Sequence, residues 1–150
     1  MVEFAQKILG SVLDRIWTLL VTMLSKAFVF KGRTSRSDYW LFQLLVGLLS
    51  VVPVMIDVKL HLPDLWIMPG PFSSVFVLVF LIPSISATVR RLHDTDISGW
   101  VVVASLVPSA GPPILLCFLL FPGDEGSNAY GEDPYADDNE SDNSVSPPPA

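Results

Sequence analysis

Three stretches of this chain contain no Asp, Glu, Lys, Arg or His: 39–56, 72–89 and 100–122, with 18, 18 and 23 residues. A helix crossing the hydrocarbon core of a bilayer needs roughly 20 apolar residues, with about 17 to 25 workable. Each run is long enough. Backbone that faces lipid must satisfy its own hydrogen bonds, and none of the runs alternates as a barrel strand does, so the pattern predicts membrane-spanning helices. A soluble three-helix core is the weaker reading, because helices at a protein surface need a polar face and these have none.

The first 28 residues follow another pattern. Polar positions recur at Glu3, Lys7, Ser11, Asp14/Arg15, Thr18, Thr22 and Ser25/Lys26, and Phe4, Ile8, Leu9, Val12, Leu13, Ile16, Leu19, Leu20, Met23 and Leu24 lie between them. Steps of three and four describe an amphipathic helix with a narrow polar face. Asp14 and Arg15 interrupt what would be the apolar core of a signal peptide, and few residues separate Arg15 from Lys26. The expected element is a helix lying in the interface plane rather than a further span. Packing against the bundle is the alternative use of the same stripe.

The ends of the runs carry interface chemistry. Ser35-Arg36-Ser37-Asp38 has capping-box spacing ahead of the first run, and Tyr39 and Trp40 follow at headgroup level. Pro71 suits the first turn of a helix, Ser98 can cap the third run, and Trp100 marks an interface again. Within the third run, Pro108-Ser109-Ala110-Gly111-Pro112-Pro113 is a strong break. Residues 100–107 and 114–121 on either side would each give only about 12 Å of helix, so one kinked span is expected. A re-entrant hairpin, returning the tail to the cytoplasm, is the alternative. The predicted architecture is therefore all-α: an interfacial helix over 1–28, a three-span membrane domain over 29–134, and a tail over 135–150.

Composition agrees with a membrane protein: 51% of the 150 residues are hydrophobic and 16% charged. The net charge of −6 belongs to the tail. Residues 123–150 hold eight acids and no Lys or Arg, which leaves the first 122 residues mildly basic, and the stretch from 136 onward is expected to be disordered. Lys26, Lys31, Arg33 and Arg36 precede the first run, Arg90 and Arg91 separate the second and third, and Lys59 alone lies between the first two. Cations near span ends stay cytoplasmic, which places the N-terminus and 90–99 inside. The loop 57–71, with Leu60, Leu62, Leu65, Trp66 and Ile67, is expected to rest on the opposite surface.

The densest polar cluster is Arg90-Arg91-Leu92-His93-Asp94, followed by Asp96 and Ser98-Gly99-Trp100. Cations alone would serve orientation, but His93, Asp94 and Ser98 add chemistry that orientation does not need. Continued as helix, 90–94 sets Arg90 and Asp94 at i, i+4. Guanidinium forks fit phosphate oxygens, so Arg33, Arg36, Arg90, Arg91, His93 and Asp94 together form a candidate site for anions or lipid headgroups.

Catalytic readings are thin. His93 and Asp94 are sequence neighbours, a poor geometry for one to orient the other. The lone Cys117 lies within an apolar run, and paired-Cys spacing, HExxH and glycine-rich phosphate loops are missing from the sequence. His61 and His93 are predicted on opposite faces and cannot share a metal. Neither a cofactor nor a nucleic-acid partner is implied. Transport would require an oligomer, since the runs hold no Asp, Glu, Lys, Arg or His to line a pathway. Gly47, Ser50, Ser84, Ser86 and Ala87 keep self-association or a membrane-protein partner open.

Four local patterns together resemble a known family. Phe30-Lys31-Gly32-Arg33-Thr34-Ser35-Arg36-Ser37-Asp38-Tyr39-Trp40 is similar to its entry into a first span. Pro83, Arg90-Arg91-Leu92-His93-Asp94 and Ser98-Gly99-Trp100 are similar to its central signature. Pro108 and Gly111 fit its Pro-x-x-Gly break, and Asn128, Tyr130, Gly131, Asp133 and Pro134 fit its closing motif. The family is domain of unknown function 805, small bacterial inner-membrane proteins, and the resemblance covers about 28 to 134. It implies a multi-span inner-membrane protein with a shared polar signature and an ordered role for 128–134, and it brings no catalytic residues. The family usually has Gly where Asp96 stands. The expected function is non-enzymatic, at a surface site binding lipid headgroups or a partner protein. The alternatives are a subunit of an oligomeric transporter or an enzyme acting on lipid-linked substrates.

Overall fold

The uncharged runs do become helices, and the starts of the two long ones are capped by a side chain, from nearby for the first and from far along the chain for the second. The computed structural model describes residues 2–60 and 70–136 and contains α1 (Val2–Ser25), α2 (Arg36–Lys59), α3 (Pro71–Asp94), α4 (Val101–Ala104) and α5 (Gly111–Leu120). Among the described residues there is no strand, only an isolated antiparallel bridge between Asn128 and Gly131. Residues α1, α2 and α3 each use 24, about 36 Å of helix against a hydrocarbon core of roughly 30 Å. The loop residues 61–69 and the tail 137–150, which carry the expectations of surface contact and disorder, lie outside the described residues.

The chain forms two compact units, one of Met1–Val29 with Trp40–Ser86 and the other of Phe30–Tyr39 with Ala87–Ala150. In the first unit, Leu19, Met23 and Ala27 form a buried stripe at i, i+4, i+8, while Phe4, Leu9, Leu13 and Trp17 stay exposed. The Ser86 hydroxyl donates to the carbonyls of Lys26 at 3.1 Å and Val29 at 2.8 Å, closing the end of α1. Ser86 and Ala87 are fully buried within the chain.

At the other end of the first unit, Asp57 of α2 caps α3. Its carboxylate accepts the N–H groups of Phe72 at 3.1 Å and Ser73 at 2.8 Å, and the Ser73 hydroxyl at 2.6 Å. The first turn of a helix has orphan N–H donors, and Pro71 at the start follows a glycine that offers no side-chain cap. A carboxylate supplied from the preceding helix meets the need, and Asp57 is 1% exposed as a result.

By length and composition Gln6–Ser25 of α1 is apolar enough to cross a membrane, and with α2 and α3 it makes three such helices. The helix gathers Asp14 and Arg15 into the narrow polar stripe read from the sequence. One expectation changes: 100–122 is not one kinked span. It is a hairpin of α4 and α5, broken at 105–110.

Both ends of that hairpin lie beside the end of α3. A Cβ on Gly99 would press on Val89, and the Asp124 N–H donates to the Asp94 carbonyl at 2.8 Å. Gly111 makes the close turn, since a Cβ there would strike the Ala104 carbonyl and lie 2.8 Å from the Ser105 Cα. Pro112 and Pro113 sit in the first turn of α5, where a missing N–H costs nothing.

Candidate functional site

The site is built where α3 ends, in the second unit. α3 runs through the polar island to Asp94 and stops in a Schellman arrangement: Ile97 N–H donates to the Leu92 carbonyl at 3.0 Å and Asp96 N–H to the His93 carbonyl at 3.2 Å. Asp96 occupies the left-handed position of that motif with φ 52°, which is the position where glycine is usual. Ser98 offers only a long 3.5 Å contact to the Trp100 N–H and is not a side-chain cap for α4. Trp100 itself is 81% exposed.

Asp94 is the centre. Its carboxylate receives the Arg33 Nε at 2.9 Å on one oxygen and the Arg91 guanidinium on the other, with Arg91 three residues earlier on the same helix. All three side chains are at most 2% exposed. One carboxylate between two guanidiniums leaves an excess positive charge, and the remaining donors spend it on backbone carbonyls. Arg33 donates to the carbonyls of Asp124 and Gly126, and Arg91 to those of Leu119 and Phe121. Arg36 adds a 3.3 Å bond to the Leu120 carbonyl. The last carbonyls of α5 are helix-end acceptors carrying partial negative charge, so the arginines cap this helix from outside it.

The closing motif packs on the same island. The Asn128 side-chain amide donates to the His93 carbonyl at 2.8 Å, while its oxygen accepts the Tyr130 N–H at 2.9 Å. The Tyr130 ring stacks on the His93 imidazole with centroids 3.9 Å apart and planes at 7°. Asn128 and Gly131 exchange backbone hydrogen bonds, and Gly131 lies against Gly32. Asp133, held ahead of Pro134, accepts the N–H groups of Gly126 at 3.0 Å and Tyr135 at 2.9 Å, which holds its carboxyl below the ordinary Asp value of 3.8. The Tyr135 hydroxyl reaches Ser37 at 3.3 Å. Tyr135 and Ala136, assigned to the tail by the sequence, thus continue the hydrogen-bonded segment.

The entry motif completes it. Ser35 caps α2 by accepting the Asp38 N–H at 3.2 Å, as its spacing predicts, and the Thr34 N–H donates to the Arg90 carbonyl at 3.1 Å. Tyr39 is buried with its hydroxyl 3.4 Å from that of Thr88, and Trp40 is half-buried. Gly123 approaches Asp94 so closely that a Cβ would collide with the carboxylate, so only glycine fits there. Around this point Arg33, Asp94, Asp124, Glu125, Asp133 and Tyr135 line a cleft of about 270 Å³. Among the described residues no group of three metal-ligating side chains comes together.

The six residues grouped from sequence therefore divide. Arg33, Arg91 and Asp94 meet as an ion triad, Arg36 stays exposed beside them, and Arg90 and His93 are buried. Asp94 pairs with Arg91 at i, i+3, where the sequence pointed to Arg90 at i, i+4. Sequence reasoning missed the capping of α5 carbonyls by arginine, the His93–Tyr130 stack and the Asp57 cap. Only the last had a local signal, a helix start at Gly70-Pro71 with no capping side chain of its own.

The comparisons with known proteins agree with this signature. The family described as Protein of unknown function (DUF805) matches residues 27–132. Inner membrane protein YhaI of Escherichia coli (strain K12) is 36% identical over 107 residues, covering 70% of this chain and 85% of its own. Inner membrane protein YhaH of the same strain is 32% identical over 108 residues, covering 70% and 86%. No solved structure matches the chain. With entry, central and closing motifs all inside the matched region, and with three helices able to cross a membrane, the chain belongs to the DUF805 family and is an integral protein of a bacterial inner membrane.

Proposed function

We propose that this protein acts without catalysis, as a membrane-surface module that holds anionic lipid headgroups through Arg36 and Lys31. The Arg33–Asp94–Arg91 triad is the framework that shapes the surface rather than the part that binds. The observation that carries the reading is the division among the cations. Arg33 and Arg91 have buried side chains whose donors go to Asp94 and to carbonyls, whereas Lys31 and Arg36 are exposed on either side of the α2 cap. A guanidinium presents a fork to a phosphate, and each cation near an anionic leaflet gains about 1 kcal/mol.

On this reading the face carrying 90–99 is cytoplasmic. Lys31, Arg33 and Arg36 ahead of α2 and Arg90 and Arg91 at the end of α3 follow the rule for short loops, and Lys59 alone marks the other end of α2. The test is phospholipid retained by protein purified from native membranes. The double variant Lys31→Ala, Arg36→Ala is expected to lose most bound anionic lipid with only a small drop in unfolding temperature, from the lost 3.3 Å bond of Arg36 to the Leu120 carbonyl. Arg91→Ala is expected to lower the unfolding temperature more. Retention of the full lipid complement by the double variant sinks the proposal.

A further inference from the structure

We infer that His93 and Tyr130 form a proton-sensitive latch: with a neutral imidazole the closing segment stays docked on the end of α3, and with a protonated one it lifts away. The His93 residue is 9% exposed, and its ring lies flat on Tyr130 with centroids 3.9 Å apart and planes at 7°. Its Nδ1 is buried and has no hydrogen-bond partner. A neutral imidazole leaves one group unmet there. A protonated one carries an N–H on both nitrogens together with a charge.

The surroundings do not take up that charge. α3 itself brings Arg90 and Arg91 before His93 and Asp94 after it. The entry motif brings Lys31 and Arg33 on either side of Gly32, whose carbonyl the ring faces. Asp96 follows in the turn, and Gly99, beside Nε2, brings no side chain. The closing segment brings Tyr130, then Glu132 and Asp133. Asp94 is committed to Arg33 and Arg91, Asp133 accepts the N–H groups of Gly126 and Tyr135, and His93 has no ion-pair partner among the described residues. A cation gains from a tyrosine face, but less than a buried charge with an unmet N–H loses. Lifting Tyr130 off the ring lets water in.

The closing segment can move as a body. Gly126 and Tyr135 bond to Asp133, and Asn128 bonds to Tyr130 and Gly131, all within the segment. Its ties to α3 are the stack, the Asn128 amide on the His93 carbonyl and the Asp124 N–H on the Asp94 carbonyl. Arg33 adds its bonds to the carbonyls of Asp124 and Gly126, so lifting frees two nitrogens of Arg33 near the exposed Lys31 and Arg36. That this adds a cation to the headgroup site rests on the function proposed above; the latch itself does not.

The test uses the full chain in detergent without added lipid, with spin labels on Ser98→Cys and Glu132→Cys in a Cys117→Ala background; both positions are exposed. One short distance is expected at about pH 7.5, and a second, longer one at about pH 5, on the other side of the ordinary imidazole value near 6.5. His93→Phe keeps a flat ring without a proton site and is expected to hold the short distance at both. His93→Gln, which also does not titrate, is expected to give one distribution that does not change with pH. An unchanged distance in the chain that keeps His93 overturns the latch. So does a lengthening that persists in His93→Phe or His93→Gln, which would assign the response to Asp94. Asp133 titrates below its ordinary 3.8 and stays ionised throughout.

Discussion

Asp94 sets the stakes at the scale of single residues. A buried carboxylate between two guanidiniums is costly to break, because removing one partner leaves charge uncompensated. Asp94→Asn keeps the shape and removes the charge, leaving Arg33 and Arg91 facing each other across a neutral amide. It is expected to cost about 3–5 kcal/mol, read as a lowered midpoint in denaturant unfolding of the detergent-solubilised protein. Asp96 is the opposite case. It fills the left-handed position that ends α3, and a side chain there is tolerated rather than favoured. Asp96→Gly is expected to raise stability by up to about 1 kcal/mol in the same assay.

Among elements, the closing segment behaves as a clasp whose strength depends on ionised Asp133. Because its folded pKa is lowered, the stability it lends is present above the ordinary value of 3.8 and is lost as pH falls through the folded value. Amide exchange at Gly126 and Tyr135, whose N–H groups it accepts, is expected to lose protection only as pH falls through that lowered folded value in wild type, while Asp133→Asn shows weaker protection at neutral pH. The α4–α5 hairpin depends on contact rather than charge. Gly111→Val drives a side chain into the Ala104 carbonyl and is expected to spread the arms, read as a greater spin-label distance between 103 and 116. These elements also mark where sequence reading works. α2 and α3 were legible because absence of charge, Ser35 and Pro71 all point to the same boundaries. The hairpin was not, because apolar length alone does not distinguish a kinked span from a returning one. What decides it is Arg91 and Arg36 reaching the carbonyls of 119–121, and such long-range pairing leaves no periodicity in the chain.

For the whole molecule, the entry, central and closing motifs meet at one junction, where the chain after 122 comes back to the end of α3 at Asp94. The sequence named Arg33, Arg36, Arg90, Arg91, His93 and Asp94 as a group; of these Arg33, Arg91 and Asp94 meet as an ion triad whose remaining donors go to carbonyls, and His93 stacks on Tyr130. The backbone acceptors were invisible because every residue has a carbonyl, and only the fold selects which ones are used. That return is the central claim, and it is tested most directly by single cysteines at Asp96 and at Glu125 in a Cys117→Ala chain, labelled with a membrane-impermeant maleimide in intact spheroplasts and in inverted vesicles. Labelling of both positions in the same preparation, with neither labelled in the other, is the result expected. Labelling of Asp96→Cys in one preparation and Glu125→Cys in the other would mean that 100–122 crosses the membrane, and would contradict the account.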